Sequence, residues 1–290
     1  MLITSYVPYA LPGYVVAVGA LLLLRGGLQH PMRRAANVLL ALAVLGVSFH
    51  LALLAPSYVG SHPKGPVVLT VVSLNLRLGQ GDAVDAVRFL DEQKAQAVVL
   101  EEVTPLEYGK LLAAGISGRL PYRIGAPGPD ANGTLIFSAY PLSDAARVPL
   151  HHGSYQVRVA APTPFWLVGV HVAQPISSPS DWRADWGVLN EVVPALDGPV
   201  VLAGDFNTTL DHDTMRSLLG KGFADAARES NAGWQPTWPS GRGDYLLPNR
   251  VGLLAIDHVL VRGSYGVVAT LTRGIAGTDH RALVARLALR

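Results

Sequence analysis

The chain has 290 residues, half of them hydrophobic and only 15% charged, which excludes a disordered or fibrous protein. It contains no cysteine, so a disulfide framework, a thiolate zinc site and a cysteine nucleophile are excluded, and any metal must be held by oxygen or imidazole. The formal net charge is +2, yet residues 1–60 carry three arginines and no acid; the remaining 20 basic and 21 acidic side chains net −1, far from the strong basic field of a duplex-binding protein.

Two uncharged runs come first, Leu2 to Leu24 and Ala35 to Ala55, each long enough to cross a bilayer, since about 20 residues at 1.5 Å each span roughly 30 Å of hydrocarbon. They predict a transmembrane hairpin over residues 1–59, with helices at about 6–24 and 35–55. A pair of buried core helices is the plain alternative, but the runs are contiguous, acid-free and joined by a short loop bearing Arg25, Arg33 and Arg34. The first basic residue follows the first apolar run, unlike the basic start of a cleavable signal, so removal is not expected. Three loop arginines against Lys64 and Arg77 beyond the second run place the loop in the cytoplasm and the body outside it. The expected location is therefore a multi-pass protein of the cell membrane with an extracytoplasmic body. Residues 60–66, with two glycines, two prolines and a serine, read as a linker.

From residue 67 to 290 β-branched runs alternate with helical periodicity. Strands are predicted at Val67–Leu76, Ala97–Leu100, Thr134–Phe137, Phe165–His171, Val200–Leu202 and Ile256–Val261. Helices are predicted at Asp82–Gln93 and Ser180–Leu196, the second with Trp182, Trp186, Leu189 and Val193 on one face. This is an α/β pattern, and about 225 residues suffice for one sizeable core.

Polar residues punctuate the ends of these apolar strands: Asn75, Glu101-Glu102, His171, Gly204-Asp205-Phe206-Asn207, Asp257-His258 and Asp279-His280. Singly, each has an ordinary reading as a bulge, a helix-start acid pair, a turn or a core histidine. Jointly, three or four carboxylates, two histidines and two amides without a thiol suit a hard divalent cation, Mg²⁺ or Mn²⁺, that leaves positions for phosphate. Phosphate-ester hydrolysis follows: cation against phosphoryl charge, carboxylate to deprotonate water, imidazoles on the phosphoryl oxygens.

In this order the residues resemble the endonuclease/exonuclease/phosphatase superfamily, which includes deoxyribonucleases, apurinic endonucleases, bacterial sphingomyelinases and inositol polyphosphate 5-phosphatases. The resemblance runs through Ser73-Leu-Asn75-Leu, Val99-Leu-Glu-Glu102-Val, Leu135 to Leu142, Gly169-Val-His171, Leu202 to Asn207, Thr237-Trp-Pro239, Ile256-Asp257-His258-Val and Thr278-Asp279-His280-Arg281, covering residues 67–290 as one catalytic domain. It implies a four-layer α/β sandwich, two mixed β-sheets flanked by helices, following the hairpin. It also implies roles: Glu102 as principal metal ligand with Asn75 and Asp279 contributing, Asp205 as the water-activating base, and Asn207 positioning phosphate or nucleophile. His171 and His280 would contact phosphoryl oxygens, and Asp257 would orient His280.

Three departures stand out. Glu101 occupies a position where the family often has Gln, adding a negative charge that bears on metal stoichiometry. Ala139 replaces a frequent arginine, and Asn132-Gly133-Thr134 lacks the acid that pairs with the first histidine in secreted deoxyribonucleases. The expected activity is a membrane-anchored, Mg²⁺-dependent phosphoesterase acting on phosphodiesters of nucleic acid or a lipid head group, with the bilayer as partner through residues 1–59 and no protein partner inferable. Trp182, Trp186, Trp234 and Trp238 could meet the membrane interface or, for Trp182 and Trp186, fill the core. The competing reading is a catalytically inactive membrane-tethered binding module of the same fold.

Overall fold

A computed structural model of the chain describes residues 2–60, 62–240 and 252–290. The N-terminal part comprises α1 (Leu2–Ser5), a 3-10 turn at Val7–Tyr9, α2 (Ala10–Leu24) and α3 (His30–Leu54). Helix α2 starts later than residue 6 because the prolines of its approach, Pro8 and Pro12, favour a tight turn and a first helical turn that needs no amide donor there. Helix α3 starts earlier than residue 35, taking Arg33 and Arg34 into its first turns behind Pro31. The two helices pack on each other and pass as candidate membrane spans, with 0% and 11% of their most apolar windows buried. Core helices of a water-soluble protein would be covered; here Val16, Leu23, Val38, Leu45 and Phe49 face outward.

The remaining elements are β1 (Leu69–Asn75), α4 (Ala83–Glu92), β2 (Ala97–Glu101), α5 (Pro105–Ala113), α6 (Ile116–Arg119), β3 (Tyr122–Ala126), β4 (Thr134–Ser138), β5 (Leu142–Arg147), β6 (Tyr155–Val159), β7 (Phe165–His171), α7 (Pro179–Val192), β8 (Val200–Asp205), α8 (Asp213–Leu219), β9 (Ala224–Asp225), α9 (Ala226–Glu229), β10 (Asp257–Arg262), β11 (Tyr265–Gly274) and β12 (Arg281–Leu289). They form two six-stranded sheets, ordered β11-β12-β1-β2-β4-β3 and β5-β6-β7-β8-β10-β9. Both are mixed, because β1–β2 and β7–β8 are parallel while their other pairings are antiparallel.

Strand alternation builds the layers. Leu69, Val71, Ala97, Val99, Leu167, Val201, Ala203 and Val259 meet between the sheets. Their odd-even neighbours Val72, Leu74, Val98 and Leu100 pack outward with Phe89 of α4 and Leu111 of α5. On the other side Val168, Val170 and Leu202 pack with Trp182, Trp186 and Leu189 of α7 and Met215 of α8. The result is helix, sheet, sheet, helix: a four-layer α/β sandwich. Trp182 and Trp186 are core residues and are withdrawn from any interfacial role; both indole nitrogens donate to Thr208 Oγ1. Helix α7 stops at Val192, before Pro194, whereas the periodicity had suggested a run to Leu196.

Residues 60–66 include Ser61, which lies outside the described residues. The rest of that stretch does not hang free: Asn231 Nδ2 donates to Gly60 O and meets His62 Nδ1.

Candidate functional site

The alternation that packs the inter-sheet core also delivers the site. Along β1, β2, β7 and β8 the inward positions are odd-numbered, and the last inward residues are Asn75, Glu101, His171 and Asp205. Strand β10 runs antiparallel to β8 and starts at the same end, so Asp257 pairs with Asp205, and His171 pairs with Asp205 from the other side. Strand β12 is likewise antiparallel to β1, which puts His280, just before it, at this end. Six polar groups thus replace the apolar core at one rim, where ligand sites of α/β sheets collect.

Glu102 reaches the same place differently. It lies one residue past β2 with φ +56°, and Asn207 lies just past β8 with φ +46°. Left-handed backbone is costly for residues other than glycine and is retained where surrounding contacts over-determine it. Asn75 Nδ2 donates to Glu102 Oε1 at 3.0 Å and to Asp205 Oδ2 at 3.3 Å, and Leu78 N–H donates to Glu102 Oε2 at 2.7 Å. His171 Nε2 stands 3.7 Å from Glu102 Oε1 and 3.9 Å from Asp205 Oδ2. His280 Nε2 is 3.8 Å from the same Asp205 oxygen, while its Nδ1 bonds Asp257 Oδ2 at 2.9 Å. Asn207 N–H donates to Asp205 Oδ1, and its Nδ2 donates to Val172 O. Asp279 sits beside this group, accepting from Trp238 Nε1 at 3.2 Å with Arg77 Nε 3.9 Å away.

The two imidazoles are pushed in opposite directions. Burial, with His152 and His280 nearby, holds His171 well below the ordinary histidine value, so it is neutral. Burial also opposes charge on His280, but Asp257, Asp205 and Asp279 outweigh it and raise its pKa to about 10, so it is a cation. Burial and the neighbouring Asp257 lift Asp205 to about 7. Burial, then Asp257 and Asp205, pushes Glu101 well above the carboxylate range. Glu101 therefore does not add the anion expected from its sequence; it is a neutral acid beneath the site, with Ser73 Oγ donating to it.

Asp205, Asp257 and His280 offer ligand atoms within 4.8 Å of one another. A protonated His280 hydrogen-bonded to Asp257 is a poor cation ligand, whereas Glu102 and Asp205, bridged by Asn75 Nδ2, bring together carboxylate oxygens of the kind a hard cation takes. The donor chemistry fits a divalent cation: hard oxygen donors from Glu102 and Asp205 lie side by side, and burial, then the charge of Asp257, lifts Asp205 to about 7, a cost that a bound cation would relieve.

Of the residues singled out from the sequence, Asn75, Glu102, His171, Asp205, Asn207, Asp257 and His280 converge, and Asp279 stands at the adjoining edge. Several supporting groups escaped sequence reasoning. Ser154 Oγ accepts the His171 N–H, and the His152 ring stacks on His171 with centroids 4.5 Å apart. Asp185 accepts the Ala173 and His151 N–H groups, and Asp225 holds His258, whose other nitrogen meets Thr208 O. Asp185 alone left a signal, a carboxylate one turn from Trp182 on the apolar face of its helix.

The sequence model of the endonuclease/exonuclease/phosphatase family matches residues 72–280. No curated protein matches the chain. Among solved structures, an AP endonuclease from Archaeoglobus fulgidus is similar with a TM-score of 0.61 at 15% identity, covering 76% of this chain and 100% of that one. The 3′ phosphatase from Neisseria bound to a product DNA hairpin gives 0.60 at 17% identity, with 76% and 99% covered. A functionally unknown conserved protein from Enterococcus faecalis gives 0.58 at 18%, with 77% and 100% covered. At these identities the likeness is one of fold.

Proposed function

Because the chain belongs to the endonuclease/exonuclease/phosphatase family, we propose that it is a membrane-anchored, divalent-metal-dependent phosphodiesterase whose substrate is a nucleic acid or a lipid head group. The observation that carries this reading is the meeting of Glu102, Asp205, His171 and His280 at one rim, within 4 Å contacts of one another through Asp205 and Glu102.

Glu102, with Asn75 and Asp279 contributing, would hold Mg²⁺ or Mn²⁺. When bound, the cation supplies charge neutralisation for a phosphoryl group. Asp205 deprotonates the attacking water, and a carboxyl titrating at about 7 is a base matched to neutral pH. Asn207 fixes Asp205 through its backbone N–H and adds a polar edge toward the phosphate. The His280 cation, oriented by Asp257, donates from Nε2 to a phosphoryl oxygen as charge develops there. Neutral His171 contacts the phosphoryl group from the other side, so two imidazoles of opposite protonation flank one ester.

The anchor reading is supported by two exposed apolar helices, and the proposed sidedness, with the catalytic body outside the cytoplasm, by Arg25 between them and Arg33 and Arg34 in the first turns of α3. A reporter fused at the C-terminus and active only in the cytoplasm tests the orientation; activity would reverse it. The function is tested on the full chain in nanodiscs with plasmid DNA, RNA, phospholipids, sphingomyelin and sugar phosphates, each with and without Mg²⁺. Nicked plasmid or degraded RNA identifies the nuclease branch and released head group the lipid branch; no turnover of any of them contradicts the proposal.

A further inference from the structure

The hairpin does not dangle from the domain. Tyr9 Oη donates to Leu253 O at 2.5 Å, Gly233 N–H donates to Ser57 O at 2.8 Å and Trp234 N–H donates to Tyr58 Oη at 3.2 Å. The Tyr9 and Trp234 rings meet edge to face at 5.3 Å. These contacts join the start of α2 and the end of α3 to the domain, and they enclose a cavity of about 130 Å³ outside the catalytic rim.

The two sides of this cavity differ chemically. The hairpin contributes Pro8, Leu53 and Leu54, and the domain contributes Arg216 and Arg228 with Asp211. Arg216 lies 3.8 Å from Asp211, which lines the cavity, and 3.8 Å from the exposed Asp213, which does not, both loose pairs, and Arg228 makes no side-chain ion pair among the described residues. Burial pushes the Asp211 carboxyl upward, which weakens its claim on either guanidinium. The balance is positive. The location is where two membrane-spanning helices leave the hydrocarbon, and Tyr6, Tyr9, Tyr58 and Trp234 around it have the amphipathic rings that settle at head-group depth.

We propose that this junction binds an anionic phospholipid, its phosphate between Arg216 and Arg228 and its acyl chains along Leu53 and Leu54 of the hairpin. Guanidinium forks match phosphate oxygens, and the apolar wall continues into the bilayer. The inference rests on the membrane-anchored reading above but concerns a site separate from the catalytic centre. Its walls are chain neighbours of that centre, since Thr209 follows Asn207 by two residues and Ala255 precedes Asp257 by two. A bound lipid would therefore brace the domain against the membrane next to the segments that carry the base and the His280 partner.

The test reconstitutes the full chain into vesicles of phosphatidylcholine alone or mixed with phosphatidylglycerol, checks flotation, then counts retained lipids by native mass spectrometry. Wild type should float in both and keep phosphatidylglycerol in preference to phosphatidylcholine. Arg216→Gln and Arg228→Gln should each weaken that preference about fivefold, and the double variant about 25-fold, as expected for removing one guanidinium–phosphate attraction at a time. Flotation without any phosphatidylglycerol preference in wild type overturns the lipid site and leaves the anchor standing. Failure to float overturns both. Wild-type preference needs no variant to fold, and a thermal melt of each variant separates lost binding from lost structure.

Discussion

Replacing Asp257 with asparagine keeps an acceptor for His280 Nδ1 while deleting the charge behind it. The interval between the ordinary histidine value of 6.5 and about 10 is about 3.5 units, or about 5 kcal/mol of preference for the imidazolium, set by Asp257 first among the carboxylates and then Asp205 and Asp279 against the cost of burial. Assigning Asp257 somewhat under half of that, about 2 kcal/mol, lowers the value by about 1.5 pH units to roughly 8.5, so His280 keeps its proton at neutral pH and the loss in phosphodiester hydrolysis approaches about 30-fold only toward pH 10. Direction in pH follows from sign: a histidine held above its ordinary value loses its proton at lower pH when the neighbouring anion is removed. The alkaline limb of the kcat/KM profile should move to lower pH in Asp257→Asn. Hydrolysis of a bis-aryl phosphodiester by the full chain with Mg²⁺, followed across pH, reads both effects. A rate within threefold of wild type near pH 10 and an unmoved limb would refute the assignment of His280 as a working cation.

Glu102→Gln keeps the side-chain shape and an acceptor for Leu78 N–H but removes a charged ligand, so the Mg²⁺ concentration for half-maximal activity should rise at least about tenfold; an unchanged activation curve would remove Glu102 from the metal. Buried His258 is stabilised as a cation by Asp225, which outweighs burial and raises its pKa. That stability is full below the unfolded value of about 6.5 and is lost as pH climbs through the raised one. Asp225→Asn should accordingly cost about 3 kcal/mol at the acidic end and progressively less toward alkaline pH, seen as Tm curves that converge; parallel curves would contradict the ion pair. Trp186→Ala empties a fully buried indole site and strips a donor from Thr208, predicting about 3–5 kcal/mol lost in denaturant unfolding, whereas a loss below about 1 kcal/mol would mean the helix repacks. Gly204→Ala would press a Cβ to 1.9 Å from Val170 O at φ +150°, so little folded protein is expected from its expression.

The site was legible in sequence wherever an apolar strand ended on a polar residue, because the pleat that buries Val71, Val99, Val201 and Val259 between the sheets must turn the next inward position toward the same rim. That is why Asn75, His171, Asp205 and Asp257 could be picked out before any fold was known. Glu101 and Glu102 could not be sorted by that logic. Parity sends Glu101 inward, where burial neutralises it, and a left-handed residue past the strand end swings Glu102 to Asn75, a turn no periodicity announces. Strands β3, β5, β6, β9 and β11 were missed for a different reason. They lie at or near sheet margins with half-exposed faces, so stretches such as Leu142–Arg147 carry serine, aspartate and arginine rather than a continuous apolar run. The supports of His171 and of the Asn207–Thr209 turn come from residues distant in sequence, Ser154, His152 and Asp225, and only folding brings them into register.

The central claim is that a hard divalent cation and a carboxylate base act on a single phosphodiester at this rim. The direct measurement is hydrolysis of an aryl phosphodiester by the full chain, wild type and Asp205→Ala, each with Mg²⁺ and with EDTA. The account predicts turnover in the wild-type sample with Mg²⁺ and a loss of about 1,000-fold or more in the other three. Equal rates in all four samples would contradict it.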